Sequence, residues 1–168
     1  MDLNFKAIIA AALVNIVVGF TWYNPKVMGS IWMRVAKINP DEMKNVNMPI
    51  LFGTSFLFAF MLAFAMSPLV IHQFHLPSIL MNELNGTDAA LKTAAESDMA
   101  VFFAKYGNNF RTFKHGAFHG LIYSLFLVLP VVGMNALYEN RGWKYIGIHV
   151  GYWAISFMIM GGIVCAWQ

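Results

Sequence analysis

The amino-acid sequence predicts an all-α integral membrane protein, a four-helix bundle, on three observations. Charged residues make up only 11% of the 168-residue chain, where an ordinary soluble domain carries roughly 25%. Hydrophobic residues reach 59%, and the mean hydropathy is +0.60. The apolar residues fall into four blocks, about residues 5–22, 50–71, 117–138 and 146–167. At 1.5 Å per helical residue each block is long enough to cross a hydrocarbon core of ~30 Å. The helices of a soluble bundle each need a polar outer face, and these blocks are free of charge apart from Lys6 at the rim of the first. Residues 1–168 therefore read as a single transmembrane domain with one long extramembrane loop, residues 72–116.

The first block begins like a signal peptide, with Lys6 ahead of an apolar run containing Ala10, Ala11 and Ala12. It ends in Trp22-Tyr23-Asn24-Pro25, an aromatic interface ending where cleavage would call for small residues, so it is expected to stay as a span. In loop one, Val27, Ile31, Trp32 and Val35 recur at helical spacing among Arg34 and Lys37, which predicts a short interfacial helix. The second block carries Pro68, which can kink a membrane helix where neighbours satisfy the freed carbonyl. In loop two, Asp88 to Tyr106 sets Leu91, Ala95, Phe102 and Tyr106 on one face and Lys92, Glu96 and Lys105 opposite. That pattern predicts an amphipathic helix stopped by Gly107-Asn108 and resting on the membrane or the bundle. Loop three, ENRGWKY, is tight and makes the last two spans antiparallel neighbours.

With four spans, loops one and three share one membrane face. They carry Lys26, Arg34, Lys37, Lys44, Arg141 and Lys144, against Lys6, Lys92, Lys105, Arg111 and Lys114 opposite. The positive-inside rule then sets loops one and three in the cytoplasm. No basic tract supports nucleic-acid binding. The single cysteine, Cys165, excludes an internal disulfide.

Polar residues inside the spans are the candidates for function. Gly116, Gly120 and Ser124 repeat at four-residue spacing on the third span, and Gly147 and Gly151 on the fourth. Small residues at this spacing let helices approach closely in lipid, whether within the chain or between subunits. His115 and His119 share one face of the third span. His72 and His75 follow the second span, and Cys165 ends the fourth, all at one depth. This set of soft and borderline ligands is a conceivable metal or haem site. His149 lies some 28 Å of helix from the depth of His119, so one ion cannot bind both. It points away from Gly147 and Gly151, and Asn15 or Asn135 is its expected hydrogen-bond partner. No nucleophile elbow, phosphate loop or carboxylate pair is present, and an intramembrane carboxylate for ion coupling is absent.

GFTWYNPKVMGSIWMRVAKI and FKHGAFHG, followed by Leu137-Tyr138-Glu139, Trp153 and Gly161-Gly162, resemble the bacterial domain of unknown function seventeen-sixty-one family. The resemblance implies a small four-span protein with a WYxP-type ending to helix one (Trp22, Tyr23, Pro25). It also implies an HG signature in helix three (His119, Gly120) and a His-aromatic element in helix four (His149 with Tyr152 or Trp153). The bacterial inner membrane is the implied address, and no activity comes with it.

The leading expectation is a non-catalytic accessory or interaction subunit of a homo-oligomer or larger membrane complex, with no cofactor expected. A second is a metal- or haem-binding membrane protein using His72, His75, His115 and His119. A third is a small permease for a neutral or lipid-like substrate, lined by Asn15, Asn135 and His149.

Overall fold

The computed structural model describes residues 3–39, 41 and 45–168; Lys44, counted among the loop-one charges, lies outside them. Helix α1 (Phe5–Trp22) starts at Asn4, whose side-chain oxygen accepts from the Ala7 N–H at 3.1 Å. Past Tyr23 the chain makes one π-helical turn, Pro25–Gly29. There the Gly29 N–H donates to the Asn24 carbonyl at 2.9 Å. A side chain at Gly29 would run into the Tyr23 carbonyl, so this close turn requires glycine. Helix α2 (Ser30–Val35) follows as the interfacial helix of loop one, with Val27 and Ile31 exposed.

Helix α3 (Met48–Val70) is capped by Asn47 and contains Pro68 in its last turns. The chain leaves it through Ile71, in extended conformation, and a 3-10 turn, His72–Phe74. Loop two then forms α4 (His75–Ile79), α5 (Met81–Asn85) and α6 (Ala89–Tyr106), the last capped by Asp88. Helix α6 packs on α5, but it is not the amphipathic helix expected: only Ala95 is buried, Leu91 and Tyr106 are exposed, and the helix period brings Lys105 round to their side. Its C-terminal end is tied down by Gln73, whose side-chain amide donates to the carbonyls of Tyr106 and Asn109 at 3.2 and 2.8 Å.

The third span is continuous from Phe113 to Tyr138. It comprises α7 (Phe113–Tyr123), one π-helical turn (Ser124–Val128) and α8 (Leu129–Tyr138), which has Pro130 in its first turn. Helix α9 (Trp143–Ala166) is the fourth span and the hub, packing on α1, α3 and α7. Its Phe157, Met160 and Val164 join Ile8, Ala63 and Met66 in the main core. Phe58, Phe64, Phe118 and Phe126 remain exposed on the outer surfaces, as lipid-facing residues do. The Arg141 guanidinium donates to the Ala36 carbonyl at 2.9 Å, which locks loop three to loop one.

The protein is thus an all-helical four-span membrane bundle with extra helices in loops one and two.

Candidate functional site

At the loop-two face, His72, His115 and His119 converge, each offering one ring nitrogen within 4.8 Å of the other two. The helix period stacks His115 and His119 on one side of α7, with ring centroids 4.5 Å apart. Thr112 caps that helix by accepting from the His115 N–H at 3.2 Å, so both histidines sit inside α7. The break after α3 swings His72 across to them, its Nε2 3.1 Å from the Nε2 of His115. Phe110 closes one side, with its ring 5.2 Å from His115. It adopts φ 62°, a region bulky residues rarely occupy. The Cys165 thiol, donating to its carbonyl at 3.3 Å, helps to hold it there. No carboxylate belongs to the cluster, and His72 leaves it open on its exposed side.

Two ligand candidates from the sequence stand apart. His75 begins α4 and is exposed, because the 3-10 turn redirects the chain between it and His72. Cys165 is fully buried, its thiol committed to the carbonyls of Val70 and Phe110.

At the opposite face, the Tyr23 hydroxyl and His149 Nδ1 hydrogen-bond at 3.2 Å. Tyr23 thus stands where Asn15 or Asn135 was expected. Asn15 is taken by Tyr152, whose hydroxyl donates to its side-chain and backbone oxygens at 2.7 and 3.1 Å. Asn135 is exposed on α8. Tyr23 packs on Trp32, 4.9 Å between centroids, and on Tyr152 at 5.2 Å, while Tyr145 lies 4.4 Å from His149. Burial, aided by the neighbouring Tyr152 and Tyr145, raises the Tyr23 pKa well above the usual tyrosine range, so its hydroxyl keeps its proton. Tyr23 had stood out in sequence only as a belt aromatic and a family-pattern residue; 126 positions separate it from His149, and no local pattern joins them.

The small residues of α7 lie against α9. A Cβ at Gly116 would strike Gly161, one at Gly120 would strike the Phe157 carbonyl, and the Ser124 hydroxyl donates to the Val150 carbonyl at 3.3 Å. Gly116 and Gly120 thus meet Gly161 and Phe157, while Ser124 meets Val150, beside Gly151. Gly151 admits the Trp22 indole, which donates to the Ile148 carbonyl at 3.0 Å. Gly147 is exposed and faces open space.

Fold and polar clusters together define a small four-span membrane protein with imidazoles gathered at one face and a tyrosine-histidine pair at the other. The chain belongs to the family described as Protein of unknown function (DUF1761), which matches residues 6–165. No curated protein and no solved structure matches it. Of the residues that carry the family resemblance, Tyr23, His149 and Tyr152 meet in the cluster just described.

Proposed function

We propose that this protein binds a borderline transition-metal dication at its loop-two face through His72, His115 and His119. The observation that carries the reading is the mutual approach of the three ring nitrogens. Ligands on one tetrahedral ion at ~2.05 Å stand about 3.3 Å apart, close to the 3.1 Å between His72 and His115. Histidines near membrane helix ends ordinarily find headgroups or loop carbonyls. Among the described residues, the His72 and His115 rings hydrogen-bond only to each other and the His119 ring to nothing.

Three neutral imidazoles without a carboxylate favour Zn²⁺, Ni²⁺ or Cu²⁺ over Mg²⁺ or Ca²⁺. Three protein ligands leave a fourth position for water or an exchanging ligand. Haem draws no support from the geometry, since nitrogens in hydrogen-bond contact leave no room for a porphyrin plane between an axial pair. The third-span stripe is covered by α9 of the same chain, so the accessory-subunit reading rests on small size, charge-free spans and the lack of a recognisable catalytic set. We place the protein in the bacterial inner membrane with loops one and three in the cytoplasm, on the family resemblance and the distribution of basic residues. The histidine site then faces outward.

Titration of the purified protein with Zn²⁺ in mild detergent tests the reading. One equivalent should bind. His119→Ala should weaken binding by at least the ~100-fold that lost outer-shell partners can cost, and His75→Ala should leave it unchanged. Absent binding, or equal binding by His119→Ala, would refute the site.

A further inference from the structure

A second site lies at the other membrane face and owes nothing to the histidine reading. Between α1 and α3 there is a cavity of about 510 Å³, within the size range of small-molecule sites. Asn15 and Tyr152 line it from within the bundle, Tyr23 and Trp32 from the loop-one side, and Phe20 and Phe52 along α1 and α3.

Three features specify what it can hold. First, among the described residues no Asp, Glu, Lys or Arg lines the cavity, so a charged headgroup finds no ionic partner among them. Second, the lining carries spare hydrogen-bond donors. Asn15 is only 7% exposed, and its side-chain oxygen is taken by Tyr152. Among the described residues nothing accepts from its amide N–H₂, and the Ser55 hydroxyl, which lines the same cavity, is likewise unbonded. Both groups line the cavity and are free to donate to a ligand's acceptor atoms. Third, seven of the thirteen lining residues are aromatic, which favours a flat ring over a flexible chain. Phe20 and Phe58 are 61% and 58% exposed at the lipid-facing edge, so an apolar tail has a way out into the bilayer.

We infer that this cavity binds the ring head of an uncharged, membrane-soluble carbonyl compound of the quinone class. The ring lies among the aromatic walls, and its carbonyl oxygens accept from the Asn15 amide and the Ser55 hydroxyl. Binding is the whole of the claim; no electron transfer is part of it.

The test is equilibrium binding of a short-tailed benzoquinone to the full-length protein in detergent, with circular dichroism as the check on folding. Saturable binding of one molecule per chain is expected. Ser55→Phe fills the cavity without touching the Asn15–Tyr152 bond and should abolish binding. Asn15→Leu should weaken it about tenfold, the worth of one hydrogen bond. Should Asn15→Leu fail to fold, Ser55→Phe alone decides the matter. Non-saturating uptake that Ser55→Phe leaves intact would overturn the site. Displacement of the quinone by an equal concentration of dioleoylglycerol would also overturn it, assigning the groove to acyl chains. Chelator-treated protein should bind the quinone equally well, so the failure of one site leaves the other standing.

Discussion

The two membrane faces use histidine in opposite ways. At the loop-one face a single imidazole, His149, is held by the Tyr23 hydroxyl and enclosed by Tyr145 and Tyr23. At the loop-two face three imidazoles turn towards one another, and the cluster stays open on its His72 side. The Tyr23 hydroxyl fixes the orientation of the His149 ring, whose Nε2 is buried without a hydrogen-bond partner among the described residues. The ring nitrogens of the three clustered histidines lie within reach of one another, an arrangement that a cation would favour over the shared proton. The contrast sets a hydroxyl-held imidazole against the cluster proposed here as a ligand site.

Both faces depend on the α7–α9 seam, so the largest effect should come from there. Gly120→Val forces a side chain against the Phe157 carbonyl and should cost about 3 kcal/mol or more, the upper range for overpacking. Thermal unfolding in detergent would read this, and both sites should be lost together. Next come the ligands: His72→Ala should abolish tight Zn²⁺ binding, whereas His149→Ala should retain it. Equal loss in both would erase the distinction between the faces.

Tyr23→Phe leaves His149 Nδ1 without its partner and should destabilise the protein by about 1–2 kcal/mol with no change in metal binding. The same hydroxyl predicts an alkaline signature. Because burial raises its pKa in the folded state, its ionisation leaves stability unaffected at neutral pH. Stability falls as pH climbs above the unfolded tyrosine value of ~10. Chemical denaturation at a series of alkaline pH values should show a shallower decline in Tyr23→Phe.

The smallest effects compare two glycines of α9. Gly151→Ala pushes the Trp22 indole off its hydrogen bond to Ile148 and should cost about 1 kcal/mol. Gly147→Ala meets open space and should be neutral or stabilise by up to ~1 kcal/mol through helix propensity. Paired melting curves would show whether the order holds.

The four spans were legible because lipid excludes charge, and that exclusion is written directly into composition. Of the loop helices, α2 and α6 were legible from apolar residues recurring at helical spacing, whereas the one-turn helices α4 and α5 are too short to show a period. Half of the histidine cluster was legible too: His115 and His119 are one helical turn apart, and the period alone stacks them. Admitting His72 while leaving out His75 depended on how the chain turns after Ile71, where an extended residue and a 3-10 turn replace the helix. Cys165 sat at the correct depth, but its thiol was already bonded to two carbonyls. The Tyr23–His149 and Asn15–Tyr152 pairs join α1 to α9 across the length of the sequence, and no spacing rule reaches that far. Of the fourth-span glycines, Gly151 is packed closely by the Trp22 ring of α1, whereas Gly147 has nothing against it, since spacing specifies a stripe and not what lies against it.

The central claim is that the three imidazoles of the loop-two face form one metal site. X-ray absorption spectroscopy of the Zn²⁺-loaded protein tests it most directly. The account predicts a first shell of light atoms at about 2.0–2.1 Å, the Zn–N distance, with outer-shell scattering from three imidazole rings. It also predicts that this scattering falls to two rings in His115→Ala. A shell of oxygen neighbours without imidazole scattering, or one unchanged in His115→Ala, would contradict it.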